Sequence, residues 1–397
     1  MKFFKGALLL LISLGIADNN YPIVFIHGFM GWGPEEMGDY SYWGGKNNYI
    51  EELQSDGFII FEVSVGPISS NYDRAVEVFY QIKGGQVDYG AAHSEKNDMI
   101  RSPIGKNYVG LYPKWNEKNP IHILGHSMGG QTARMLNYLL GQEVYQKNGN
   151  KEESELLGNS YSGWIKSIST ISTPHDGTTL THIITSTIPY VQYFAGLAGL
   201  FGNSYFDFDL EQFGIKKQKS ETWLSFITGL KDNPIVSTKN FSVYDLSLSG
   251  AKDFNGYSQA SPDVYYFSFI TSSTKRDKNT SFHVPLDNTP LLNKARAKLI
   301  GSRPGYWDDG KQTDSLWFEN DGVVNSISMF GPTTGVNGPD PIIEYDPKDL
   351  LITGQWYWKK LDQMDHWSII GHFGLEDKKM RGFELIKKHL QLLKTLQ

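Results

Sequence analysis

The sequence predicts an α/β fold in which a mainly parallel sheet carries helices on both faces. Three observations predict it. Short apolar runs with strand character alternate with segments of helical period along most of the 397 residues. One run passes through Gly125-His126-Ser127-Met128-Gly129 straight into a helix-period segment. The chain then closes on an amphipathic stretch, Phe383 to Leu396, with Leu385, Ile386, Leu390, Leu393 and Leu396 on one face.

Taken in order, Tyr21 to Ile26 reads as the first strand and runs into His27-Gly28-Phe29-Met30-Gly31. Phe58 to Val65 is a second strand and Tyr72 to Ile82 a helix. Ile121 to Leu124 is the strand before the serine, and Ala133, Leu136, Leu139 and Leu140 recur at helical spacing after it. Trp164 to Ser172 is the next strand, with Val264 to Thr271 and Leu316 to Phe318 as later ones. Residues 67–115, rich in Gly, Asn, Asp and His, read as an insertion rather than sheet. Residues 180–260 hold an apolar segment followed by polar turns. Neither has a linker's composition, so residues 18–397 are expected to form a single domain with excursions.

The bulk numbers bound the function. With 40% hydrophobic residues the chain can bury a large core, and a formal net charge of -6 without a polybasic run argues against nucleic acid or an anionic membrane as partner. Met1-Lys2-Phe3-Phe4-Lys5 followed by the apolar run Ala7 to Ile16 and small residues up to Ala17 reads as a secretory signal over residues 1–17. No other run reaches the roughly 18 apolar residues a membrane span needs. With no cysteine, stability must come from the core or from bound metal rather than disulfides. Two glycosylation sequons begin at Asn240 and Asn279.

The chemistry starts at Ser127. A strand that turns at once into a helix puts the central residue of G-x-S-x-G in a strained conformation, with its hydroxyl at the carboxyl edge of the sheet. Serine is a weak nucleophile until a base takes its proton and a third group orients that base. In the α/β-hydrolase chain order the acid comes next and the base last. Among His175, His182, His283, His366, His372 and His389, the loop residue His366 is favoured; His372 is its rival, and His389 is expected to be solvated within the last helix. Asp321, on the turn Glu319-Asn320-Asp321-Gly322, is the acid that stands between serine and histidine in sequence. The N–H of Met128, next to the serine, and that of Phe29, in the loop after the first strand, are the expected oxyanion donors.

Beyond these residues the chain resembles the staphylococcal lipases and the thermoalkalophilic lipases of thermophilic bacilli. The shared stretches include "PIVFIHGFMGWG", "VGPISSNYDRA", "VDYGAAH", "GHSMGGQTARML", "STPHDGTTL", "YDLSLSGA", "ENDGVVNSISM" and "DHWSIIG". The resemblance implies the α/β-hydrolase fold, a small inserted subdomain, and a lid over residues 180–230. Its most apolar part is Ile183 to Gly202. It carries Ser127, Asp321 and His366 over as the triad, with Phe29 and Met128 as oxyanion donors.

The resemblance also implies a structural zinc on two aspartates and two histidines. Asp73, His93 and Asp245 match three of these positions, and Met99 stands at the fourth. A thioether is a poor zinc partner beside hard carboxylates, so two outcomes stay open. Either Asp98 or water completes a zinc set, or no zinc binds. The family's calcium ligands lie just after the catalytic histidine. Here Trp367 to Phe373 offers no carboxylate, so no calcium site is expected. The expectation is a secreted, monomeric lipase that needs no cofactor for chemistry and hydrolyses triacylglycerol at an oil–water interface. A phospholipase or carboxylesterase would share the triad. A non-catalytic lipid-binding protein is the alternative of another class.

Overall fold

The computed structural model describes residues 19–34, 36–187, 211–215, 221, 225 and 238–397. The expected signal segment 1–17 and the lid segment beyond residue 187, up to residue 210, lie outside the described residues.

Seven strands form one sheet: β1 (Ile23–Ile26), β2 (Ile60–Val63), β3 (Ile121–His126), β4 (Ile165–Ile171), β5 (Tyr265–Ser272), β6 (Ile342–Glu344) and β7 (Trp356–Asp362). Their order is β6-β7-β5-β4-β3-β1-β2, and every pairing is parallel. Parallel strands need crossovers, and here helices supply them except between β6 and β7, which a helix-free loop joins. Among the described residues the helices are α1 (Tyr49–Ser55), α2 (Asn71–Lys83), α3 (Ala91–Asn97), α4 (Met128–Leu140), α5 (Thr179–Thr187), α6 (Ser242–Leu246), α7 (Leu248–Asn255), α8 (Leu291–Ile300) and α9 (Glu376–Lys394).

Successive strand residues point to opposite faces, and both faces are apolar. Val24, Ile26 and Ile123 join Phe79, Ala133, Leu136 and Leu139 from α2 and α4 in one core. Ile23, Phe25, Leu124 and Phe267 join Phe383, Ile386, Leu390 and Leu393 from α9 in the other. Two helical layers thus sandwich the sheet, and its strand ends are fixed from both sides.

Several expectations need correction. The region 67–115 is not all insertion. Its first helix, α2, is a core element, and only the segment after that helix makes an excursion, built on α3 and a ribbon pairing Gly85–Gln86 with Asn107–Tyr108. Leu316 to Phe318 is not a strand but part of a 3-10 turn, Ser315–Phe318; Asp314 caps it through the Leu316 N–H at 3.0 Å, and Leu316 itself is exposed. Three apolar residues in a row carry no period that could separate the two. His389 is not solvated. It lies three residues after Ile386 and four before Leu393, which puts it on the buried face of α9. Its Nε2 lies 2.6 Å from Ser169 Oγ, and its ring stands edge-on to Phe267 and Phe269.

Candidate active site

Ser127 sits between β3 and α4 with φ 56° and ψ -129°, a conformation L-residues rarely adopt. The flanking glycines are required by close approach. A Cβ on Gly125 would lie 2.4 Å from the Gly129 carbonyl carbon, and one on Gly129 would lie 2.2 Å from the Ile26 carbonyl oxygen. The elbow is therefore wedged against β1, and no larger residue fits without moving backbone.

His366 lies on the loop between β7 and α9, and Asp321 lies just past the 3-10 turn. His366 Nδ1 is 2.8 Å from Asp321 Oδ2. Thr271 Oγ1 donates to the same oxygen at 2.7 Å, while Oδ1 accepts from the N–H groups of Val323 (2.9 Å) and Val324 (2.8 Å). Both side chains are buried. A carboxylate held by three further donors fixes the imidazole with its proton on Nδ1, leaving Nε2 as acceptor. The loop is pinned to the sheet where Met364 N–H meets Ser272 O at 2.9 Å. Ser127 and His366 line one cavity of about 50 Å³, together with Phe29, Leu246, Val323 and Trp367. Met128 is the first residue of α4, so its N–H belongs to the end of a helix that lacks internal acceptors.

The other histidines are occupied elsewhere. His372 is buried, with Nε2 2.6 Å from Tyr42 O and Nδ1 3.0 Å from Tyr40 Oη. Burial pulls its pKa down to about 4. His175 lies against Thr170 Oγ1 at 3.1 Å, His283 against Thr274 Oγ1 at 3.3 Å, and His182 packs on the ring of Tyr306.

Sequence reasoning missed a buried relay that joins the site's three loops. Gly28 N–H donates to Tyr42 Oη at 2.9 Å, and Tyr42 Oη donates to His126 Nδ1 at 2.7 Å. His126 Nε2 then donates to His366 O at 3.0 Å. Burial holds His126 neutral, far below the usual histidine range. Arg74 braces the same region: buried beside β1, it donates to Gly66 O at 3.0 Å, Thr132 Oγ1 at 2.9 Å and His27 O. The "x" of G-x-S-x-G was the one sequence signal for His126. Arg74 lay unremarked within the shared stretch "VGPISSNYDRA", and no role was read for Tyr42.

Asp73, His93 and Asp245 come near one another but do not converge as a zinc set. Asp73 Oδ1 is taken by His93 Nε2 at 2.8 Å, and its Oδ2 accepts from Asn240 Nδ2 at 3.0 Å. The same amide reaches Met99 Sδ at 3.5 Å. Asp245 Oδ2 accepts from Asn71 N–H at 2.5 Å, and burial pushes its pKa up to about 7. An amide donor and a thioether sit where a metal needs lone pairs, so these side chains do not fit zinc. Among the described residues, no three His, Cys, Asp or Glu side chains form a metal-holding group. The same contacts bury Asn240, so its sequon is closed in the folded chain, whereas Asn279 is exposed.

The lipase-like C-terminal domain family model matches residues 19–394. The chain is 36% identical to lipase 1 of Staphylococcus aureus over 330 residues, 80% of this chain and 47% of that protein. It spans about half the length of the curated relatives it matches. Among solved structures, EstA from Clostridium botulinum superposes with a TM-score of 0.84 at 38% identity, covering 94% of this chain and 88% of that one. Lipase 1 from Pelosinus fermentans gives 0.81 at 34% identity, covering 96% and 100%.

Proposed function

Because this chain belongs to the lipase-like C-terminal domain family, we propose that it is a secreted triacylglycerol lipase that works through an acyl-enzyme on Ser127. The observation that carries the reading is the buried His366–Asp321 pair at 2.8 Å, with His366 and Ser127 on one cavity. Ser127 Oγ attacks the ester carbonyl carbon while His366 Nε2 takes its proton. Asp321 holds the imidazole and stabilises its charged form. The N–H groups of Phe29 and Met128 receive the negative charge on the carbonyl oxygen. Collapse breaks the bond to the glycerol oxygen, which leaves with the proton from His366. Water, deprotonated by His366, then attacks the acyl-enzyme, and fatty acid departs as Ser127 recovers its proton.

Supporting the lipid substrate are the apolar cavity wall of Phe29, Leu246, Val323 and Trp367 and the lipase names of the relatives. Residues 1–17 are read as the secretory signal and the apolar segment from Ile183 to Gly202 as the lid. No described helix is long and apolar enough to cross a membrane. We read Asp73, His93 and Asn240 as a hydrogen-bonded brace that works without metal. The test is hydrolysis of emulsified long-chain triacylglycerol by wild type and Ser127→Ala, with phosphatidylcholine as control. Activity of the wild type alone, mainly on triacylglycerol, is expected. Activity confined to phospholipid would move the assignment to a phospholipase.

A further inference from the structure

Lys378 is a charge where none is expected. It lies in the first turn of α9, and its side chain is 1% exposed, among the largest wholly buried side chains of the protein. An ammonium is costly to take out of water and persists inside only where oxygen atoms hold it. Its Nζ donates to Asn288 O at 3.0 Å and stands 3.8 Å from Asp365 Oδ2. Asp365, fully buried, immediately precedes His366.

Asp365 is the knot of this loop. Its Oδ1 accepts from Asn293 Nδ2 at 2.9 Å and from the N–H groups of Trp367 and Ser368, each at 3.2 Å. Its Oδ2 accepts from Ser368 Oγ and faces the Lys378 ammonium. Three segments therefore meet at one internal cation: the turn before α8 through Asn288, the histidine loop through Asp365, and α9 through Lys378. A carbonyl and a carboxylate brought together from two loops are the oxygen donors a divalent cation would use. Here an ammonium on a covalent tether fills that role, and the segment from Trp367 to Phe373 adds no carboxylate that could hold a metal. The residues do not fit calcium.

We infer that Lys378 is a positioning residue for His366, an internal cation that locks the histidine loop in place of a divalent metal. The inference rests on the proposed catalytic role of His366. A tethered ammonium cannot be lost by dilution or chelation, so the loop is set once the chain has folded. Mispositioning of a base by about an ångström can cost on the order of 100-fold in rate without changing substrate binding.

The experiment measures kcat, KM, the pH profile of kcat and the thermal midpoint on a soluble p-nitrophenyl ester. Lys378→Met is compared with Lys378→Met/Asp365→Asn, which removes both charges and so avoids a stranded carboxylate. For Lys378→Met, kcat is expected to fall at least tenfold (and up to about 100-fold) with KM within about twofold, and the acid limb of the pH profile to move. The double variant is expected to recover the thermal midpoint but not kcat. Recovery of both would make Lys378 merely structural and overturn the inference. So would activation of chelator-treated wild type by added calcium. A wild type that hydrolyses no ester overturns the functional reading instead. The loop claim is then read from the NMR titration of the His366 imidazole, which Lys378→Met must shift; an unmoved titration overturns it.

Discussion

Tyr42→Phe removes one oxygen and no packing volume, which makes it a clean probe of the relay between the oxyanion loop, the elbow and the histidine loop. That oxygen accepts from Gly28 N–H at 2.9 Å and donates to His126 Nδ1 at 2.7 Å, all three residues being buried. Deletion strands a donor and an acceptor, each at about 1–3 kcal/mol, so the fold should lose roughly 2–6 kcal/mol. For a chain of 397 residues that is a fall in Tm on the order of 3–8 °C. Gly28 directly precedes the proposed donor Phe29, so the rate should fall as well, by about 10- to 100-fold in kcat. KM should hardly move, because an oxyanion donor binds charge that exists only in the transition state. The assays are differential scanning fluorimetry and steady-state hydrolysis of a soluble ester. A variant with unchanged Tm and unchanged kcat would refute the claim that this hydroxyl ties the loops together.

The same geometry constrains other perturbations. Asp321→Asn keeps the shape of the site but turns the imidazole to the wrong tautomer, and kcat should drop about 10⁴-fold with the fold intact by circular dichroism. Acid should unfold the protein through its buried neutral histidines. His389, His122 and His27 have folded pKa values of about 3, against 6.5 when free. Below pH 6.5 the unfolded chain binds protons that the folded chain refuses. Their contribution is thus complete above that pH and is lost as pH falls towards about 3. Glu62 and Asp245, raised to about 8 and about 7, act with the opposite sign but are outnumbered. His389→Gln should therefore lose roughly 2 kcal/mol less than wild type between pH 7.5 and pH 5 in urea titrations. Dialysis against a chelator should leave Tm within about 1 °C and metal analysis should find no stoichiometric zinc; a zinc content near one per chain would contradict the brace at Asp73.

What the sequence could tell divides along a physical line. Ser127 stood out as the candidate nucleophile because strand, turn and helix are local patterns, and the Asp321–His366 pairing, 2.8 Å apart in the structure, because chain order and loop position constrain it. Tyr42, Arg74, His126 and Lys378 were not singled out, because what they do depends on loops that meet only in the folded chain. Strands β6 and β7 escaped notice because Lys359 and Lys360 interrupt the apolar run of the latter and the former has only three residues. His389 was misread although its spacing from Ile386 and Leu393 put it on the apolar face; residue type was given more weight than position. The zinc set failed at one residue, Met99, and the structure adds the reason that sequence could not: Asn240, distant in the chain, fills the gap.

Ser127 is the proposed site of acylation. Rapid-quench mass spectrometry during turnover of a slowly deacylating p-nitrophenyl ester measures it directly. A burst of one nitrophenol per chain and an acyl mass on the peptide carrying Ser127 are expected, both abolished in Ser127→Ala. Ester turnover with the acyl group on another residue, or with none and no burst, would contradict the proposal.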